Sequence, residues 1–293
     1  MPIRVFARRG AEIQNMKTPA RLLPLVQEGQ IDEVLGQLMS GKEADIYVVD
    51  CGGVMRCAKV YKESKNRSFR QRSDYQEGRA VGNSRRARAM AKGSKFGKRE
   101  LEEAWHSAEV DALYRLTAAG VRVPQPLFYD HGVLVMELVA DAQGDVAPRL
   151  TDLELTEEQA VQMYSVLLKE VVRMLCAGLI HGDLSEYNVL VGKDGPVIID
   201  LPQVVTAAGN NNARKLLLRD IDALALCLGR SAPSIRQFDY GNEIWQAYEK
   251  GTLDPDMKLT GRFKRPDHKA DVGSVLRDIE DARQDALRRA GKT

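Results

Sequence analysis

The hydrophobic pattern changes character along the chain. Ile46-Tyr47-Val48-Val49 leads into a turn at Cys51-Gly52-Gly53, and Val54 to Tyr61 continues beyond it, which predicts two strands joined by small residues. Val121 to Leu127, carrying Pro124 and Pro126, predicts an extended edge, and Val133 to Val139 a buried strand. Ahead of them Leu22, Leu23, Val26, Ile31, Val34, Leu35 and Leu38 recur at spacings of three and four, which predicts a small helical cap. The same spacing marks helices at Leu101 to Ala118, closed by Gly120, and at Ala213 to Leu228. Between them Thr156-Glu157-Glu158-Gln159 is a capping box opening a long helix with Ala160, Tyr164, Leu167, Leu168, Val171 and Leu175 on one face and Gly178 as its stop. A charged amphipathic helix is predicted from Val272 to Arg289.

The long helix delivers the chain to His181–Asp200, around which the rest is organised. Val189 to Val191, then Gly192-Lys193-Asp194-Gly195, then Val197 to Ile199 predict a tight hairpin. Asp183 and Asn188 precede its first strand and Asp200 follows its second, so the antiparallel return gathers two carboxylates and an amide into one small volume. Such oxygen donors suit Mg²⁺, which takes one or two carboxylates and leaves its other positions to water or phosphate. Phosphoryl transfer asks for the same set, with a carboxylate to accept or orient a hydroxyl proton. Asp183 is better placed for that role than His181, which reads as a core histidine. Taken singly, each Asp also fits an ordinary turn or cap.

Lys59 is one cation in an otherwise apolar strand, and a half-buried charge needs a partner. Its flexible stem could reach nucleotide phosphates, with Glu109 on the Leu101 to Ala118 helix as its carboxylate; an edge lysine pointing to water is the other reading. The small-residue turn Cys51-Gly52-Gly53 between the two strands could let backbone N–H groups approach phosphate, although it matches neither Gly-x-Gly-x-x-Gly nor a Walker A loop. Lys42 by itself reads as a solvated turn residue. Glu137 to Val139, beside Met136, would offer backbone groups to an adenine ring, or be plain core strand. Asp220, in an apolar helix, is expected to accept hydrogen bonds from backbone N–H groups of the 181–188 loop, a surface position being the other reading. Residues 65–99 are dense in Lys and Arg against only Asp74 and Glu77, and fit either an RNA-contacting loop or a solvated charge run.

Composition narrows the field. Over 293 residues the formal net charge is only +2, so the whole molecule is no polycation. The four cysteines fit no zinc spacing and read as reduced, buried thiols. No apolar stretch approaches a membrane span, so a cytoplasmic protein without a membrane partner is expected.

Taken together, Ser40-Gly41-Lys42-Glu43-Ala44, Ala58-Lys59-Val60-Tyr61-Lys62, Leu134-Val135-Met136-Glu137, His181-Gly182-Asp183-Leu184-Ser185-Glu186-Tyr187-Asn188, Ile199-Asp200 and Leu217-Leu218-Arg219-Asp220 resemble the RIO family of atypical serine/threonine protein kinases, from about Leu38 to Gly229. The resemblance implies an α+β, bilobal kinase fold with ATP between the lobes, and Mg²⁺ with Mn²⁺ as an alternative. The corresponding division is a cap at 1–35, a β-rich lobe at 36–139, a helical lobe at 140–231 and a helical extension at 232–293. The resemblance also implies Ser40, Gly41, Lys42 and Lys59 at the nucleotide, Glu109 paired with Lys59, and Met136, Glu137 and Val139 lining the adenine site. Asp183 would be the catalytic base, Asn188 and Asp200 the metal ligands, and Asp200 also an acceptor of phosphate. Gly182 stands where ordinary protein kinases carry Arg, and no Ala-Pro-Glu element lies between Asp200 and Arg219, so a full activation segment and a peptide-docking subdomain are not expected. The expected reactions are transfer to serine or threonine of this chain or an unidentified protein, and ATP hydrolysis. The competing readings are a small-molecule phosphotransferase of the aminoglycoside or choline type, and a nucleotide-gated assembly factor touching ribosomal RNA or a pre-ribosomal particle through 65–99.

Overall fold

Alternating β-branched and aromatic residues build the first half. Strands β1 (Glu33–Ser40), β2 (Ala44–Cys51), β3 (Val54–Tyr61), β4 (Pro126–Asp130) and β5 (Val133–Glu137) form one antiparallel sheet in the order β1-β2-β3-β5-β4. The structure, a computed structural model, describes residues 17–62 and 108–263. The basic run 65–99, the first part of the predicted Leu101 to Ala118 helix and the predicted Val272 to Arg289 helix lie outside the described residues. Contacts group the described residues up to Gly261 into one unit, and Arg262 and Phe263 into another.

Period-two alternation sorts the side chains onto two faces. On the outer face Tyr47, Val49, Ala58, Val60, Val133 and Val135 pack with Leu22, Leu25, Ile31 and Val34. On the inner face Ala44, Tyr61 and Leu134 join the main core. The predicted helical cap is corrected: the helix α1 spans only Leu23–Gln27, and Val34, Leu35 and Leu38 lie in β1. Irregularities between Val34 and Gly36 and between Gln37 and Met39 break the pleat's phase, so the apolar positions imitate helical spacing.

Helix α2 occupies residues 108–118. Helix α3 (Glu157–Cys176) starts as predicted, with Thr156 and Gln159 capping one another reciprocally, and buries Leu167, Leu168, Val171, Val172 and Leu175. Each such side chain contributes about 1.5–3 kcal/mol by leaving water. Gly178, at φ 74°, turns the chain into the short strand β6 (Leu179–Ile180). Then follow the hairpin strands β7 (Val189–Gly192) and β8 (Gly195–Ile198), the short strand β9 (Val205–Thr206) paired with β6, and helices α4 (Ala213–Leu228) and α5 (Tyr240–Glu249). No helix among the described residues is long and apolar enough to cross a membrane. The cysteines are all free, but only Cys57 is buried; Cys51 and Cys227 are half-buried and Cys176 is exposed.

Candidate active site

Strand β3 presents Lys59 and Tyr61 on its inner face, and a single carboxylate from α2 meets both. Lys59 Nζ lies 2.6 Å from Glu109 Oε1 and 3.1 Å from Asp200 Oδ1, while the Tyr61 hydroxyl donates to Glu109 Oε2 at 2.8 Å. Lys59 is 8% exposed and Glu109 5%, so removing either partner would strand the other's charge away from water. Burial alone would lower the lysine pKa; the Glu109 and Asp200 carboxylates outweigh it and hold Lys59 above the ordinary value. The edge-lysine reading is therefore excluded. Tyr61 was not anticipated as the second grip on Glu109, although its i, i+2 relation to Lys59 on one strand was a readable signal.

The hairpin forms with Lys193 and Asp194 at its tip, pairing Val189 with Ile198 and Gly192 with Gly195. Ile199 N–H donates to the Asn188 carbonyl at 2.9 Å, which brings the residue before Asp200 against the residue before β7. The Asn188 side-chain NH₂ donates to the Asp183 backbone carbonyl at 2.9 Å, and its Oδ1 has no partner among the described residues. Asp200 has φ 65°, a left-handed conformation that costs an L-residue roughly 1–2 kcal/mol and that Asp tolerates better than most. Its side chain is half exposed, with one oxygen on Lys59. Burial raises the Asp183 pKa, His181 and Arg219 oppose the rise, and the nearby Asp200 charge adds to it. The two carboxylates thus sense one another across the same small space.

Beneath the loop, Asp220 on α4 accepts Gly182 N–H at 2.7 Å and Leu184 N–H at 3.0 Å, as expected, and so brackets Asp183. Gly182 sits at φ 82°, where any other L-residue would be strained. Burial pushes the Asp220 pKa up to about 6 against the pull of His181 and the two N–H groups. His181 is buried, accepts Asp183 N–H on Nδ1 at 3.3 Å and places Nε2 3.1 Å from the Ile199 carbonyl, so it ties loop to hairpin as a core residue.

The remaining predicted site residues fall at two edges. Met136 packs against the main core beside Cys57 on β3. The Glu137 side chain turns away to Gln125 N–H (3.2 Å) and Arg122 (3.5 Å), and its own N–H donates to the Gln125 carbonyl. Only its backbone carbonyl could serve a ring. Val139 is 4% exposed, and among the described residues its N–H has no hydrogen-bond partner. A buried orphan donor of this kind costs about 1–3 kcal/mol until a ligand acceptor meets it. The hairpin hangs from the same segment, since Lys193 N–H donates to the Ala140 carbonyl. At the other edge, Lys62 Nζ gathers Ser40 Oγ (2.9 Å), the Gly41 carbonyl (2.9 Å) and Asp45 Oδ1 (2.8 Å), fixing the β1–β2 turn, while Lys42 is exposed. The β2–β3 turn is no phosphate loop: Asp32 and Asp50 take its Gly52 and Gly53 N–H groups, and it lies at the end of β3 away from Lys59.

The Asn188 Oδ1, a half-exposed Asp200 and a nearby Asp183 are hard oxygen donors, and they fit Mg²⁺. A family model for the RIO domain matches residues 45–240. The chain belongs to the RIO family. It is 36% identical over 204 residues to the RIO-type serine/threonine-protein kinase Rio1 of Haloferax volcanii, covering 69% of this chain and 66% of that one. It is 31% identical over 211 residues to the Rio1 kinase of Methanocaldococcus jannaschii (71% and 67% covered), and 32% over 197 residues to the human serine/threonine-protein kinase RIO1 (66% and 33%). The chain thus spans about two thirds of these archaeal relatives and one third of the human one. Among solved structures, a Rio2 kinase complex with ADP, Mg²⁺ and phosphoaspartate from Chaetomium thermophilum superposes with a TM-score of 0.51 at 22% identity, covering 72% of this chain and 59% of that one, which supports the kinase-like fold. This RIO member therefore joins an antiparallel sheet to a helical lobe.

Proposed function

We propose that the chain binds ATP with Mg²⁺ and transfers the γ-phosphoryl group to a serine or threonine hydroxyl, on itself or on a protein, and also to Asp200, whose acyl phosphate is then hydrolysed. The observation that carries the reading is Lys59 held between Glu109 and Asp200 at 2.6 and 3.1 Å, beside the Asp183–Asn188 loop. Lys59 would neutralise phosphate oxygens as a fixed cation, and Val139 N–H would meet an acceptor on the base. Asn188 Oδ1 and Asp200 would hold Mg²⁺, which supplies charge neutralisation on the polyphosphate.

In hydroxyl transfer Asp183 takes the proton as the hydroxyl oxygen forms its bond to the γ-phosphorus and the bond to the ADP oxygen breaks. In the second route an Asp200 oxygen is the nucleophile, ADP leaves in the same way, and water later cleaves the acyl phosphate. The Rio2 complex, with phosphoaspartate in that protein, supports this second route here. The test is incubation with γ-labelled ATP and Mg²⁺. Label on serine or threonine, label released by hydroxylamine, or free phosphate, each dependent on Mg²⁺ and on Lys59, is expected. Transfer only to a small amino alcohol, or no metal-dependent product, would overturn the proposal.

A further inference from the structure

The segment between Asp200 and α4 places one side chain against the proton acceptor. Gln203 Nε2 donates to Asp183 Oδ2 at 3.2 Å. The backbone around it is fixed on both sides. Leu201 and Val204 are buried and Val204 N–H closes a turn onto the Leu201 carbonyl at 3.1 Å; β9 then pairs with β6, the strand that runs into His181. The amide is therefore delivered to Asp183 by the same pairing that positions the catalytic loop.

We propose that Gln203 is a positioning residue for proton acceptance, holding Oδ2 of Asp183 so that Oδ1 stays open to the incoming hydroxyl. This rests on Asp183 acting as the base. A carboxylate rotates within a broad torsional well, so one directed donor is enough to select an orientation. A neutral amide does so without the strong ion pair that would make the carboxylate a poorer proton acceptor.

The two proposed reactions depend on this contact differently. A hydroxyl must lose a proton as its oxygen bonds to phosphorus, and that proton goes to Asp183. Asp200 attacks as a carboxylate and has no proton to lose, so formation of its acyl phosphate needs no base. Losing the Gln203 contact should slow the first reaction and spare the second.

The test uses the full chain with γ-labelled ATP and Mg²⁺, and follows hydroxylamine-stable label, the initial rate of hydroxylamine-labile label, and the KM for ATP. Gln203→Ala should lower kcat for hydroxyl transfer roughly five- to tenfold, the worth of one oriented hydrogen bond. The KM for ATP and the rate of acyl phosphate formation should stay within about twofold of wild type on that same principle. Gln203→Glu, which sets a carboxylate against Oδ2, should slow hydroxyl transfer further. Unchanged hydroxyl transfer in both variants, or an equal fall in both labels, would overturn the positioning role alone. A wild type that labels only Asp200 would leave Asp183 no proton to take and overturn it too, while a wild type that forms neither label would overturn the proposed function itself.

Discussion

Asp220→Ala tests how the loop is held. The substitution removes the acceptor for two buried N–H groups, Gly182 at 2.7 Å and Leu184 at 3.0 Å. Each orphaned donor costs about 1–3 kcal/mol, so the gross loss is roughly 2–6 kcal/mol, a large share of the 5–15 kcal/mol that stabilises a typical domain. Part of this is recovered at neutral pH, because burial raises the Asp220 pKa from 3.8 to about 6 and its ionised form is disfavoured in the fold. The sign follows from linkage. With the folded value above the unfolded one, the contribution of the protonated form is complete below 3.8 and is lost as pH rises through about 6. The loss amounts to about 3 kcal/mol. The stability gap between wild type and Asp220→Ala should therefore be widest below pH 3.8 and narrow by about that amount by pH 7. Urea unfolding of both chains across this range measures it. A gap that does not change with pH, or one that widens as pH rises, would refute the reasoning.

Other substitutions probe separate links. Tyr61→Phe leaves Glu109 Oε2 buried without a donor and should cost about 1–3 kcal/mol in urea unfolding, with Lys59 still paired. Asp183→Ala should reduce hydroxyl transfer on the order of a hundredfold or more while nucleotide affinity, read by a fluorescent ADP, is retained. The Cys57 thiol is pushed up to about 12 by burial, partly offset by Lys59, so maleimide at pH 7 should label exposed Cys176 first by mass spectrometry. Faster modification of Cys57 would contradict its buried placement on β3.

Most of the site was legible because its signals are local. The hairpin follows from two apolar runs around a short polar turn, and its closing ties Ile199, the residue before Asp200, to Asn188, whose amide in turn bonds the Asp183 carbonyl. The Asp220 role was legible because an acidic group in an apolar helix face needs donors, and the chain offers them in the adjoining loop. The first strand was not, because its irregular pleat places Val34, Leu35 and Leu38 at helical spacing, and only pairing with β2 reveals the phase. The phosphate reading of the Cys51-Gly52-Gly53 turn fails because small residues alone do not reveal that Asp32 and Asp50 occupy its N–H groups. Gln203 had no sequence signal, since a neutral amide in a short loop gains its meaning only from what lies 3.2 Å away.

The proposed holding of Mg²⁺ by Asn188 and Asp200 beside the nucleotide can be tested as linkage between Mg²⁺ and ATP. Affinity for a non-hydrolysable ATP analogue should rise on adding Mg²⁺ to wild type, on the order of tenfold or about 1.4 kcal/mol. In Asn188→Ala and in Asp200→Asn that increment should collapse, with metal-free binding through Lys59 and Val139 retained. An undiminished Mg²⁺ increment in both variants would show that the ion is held elsewhere.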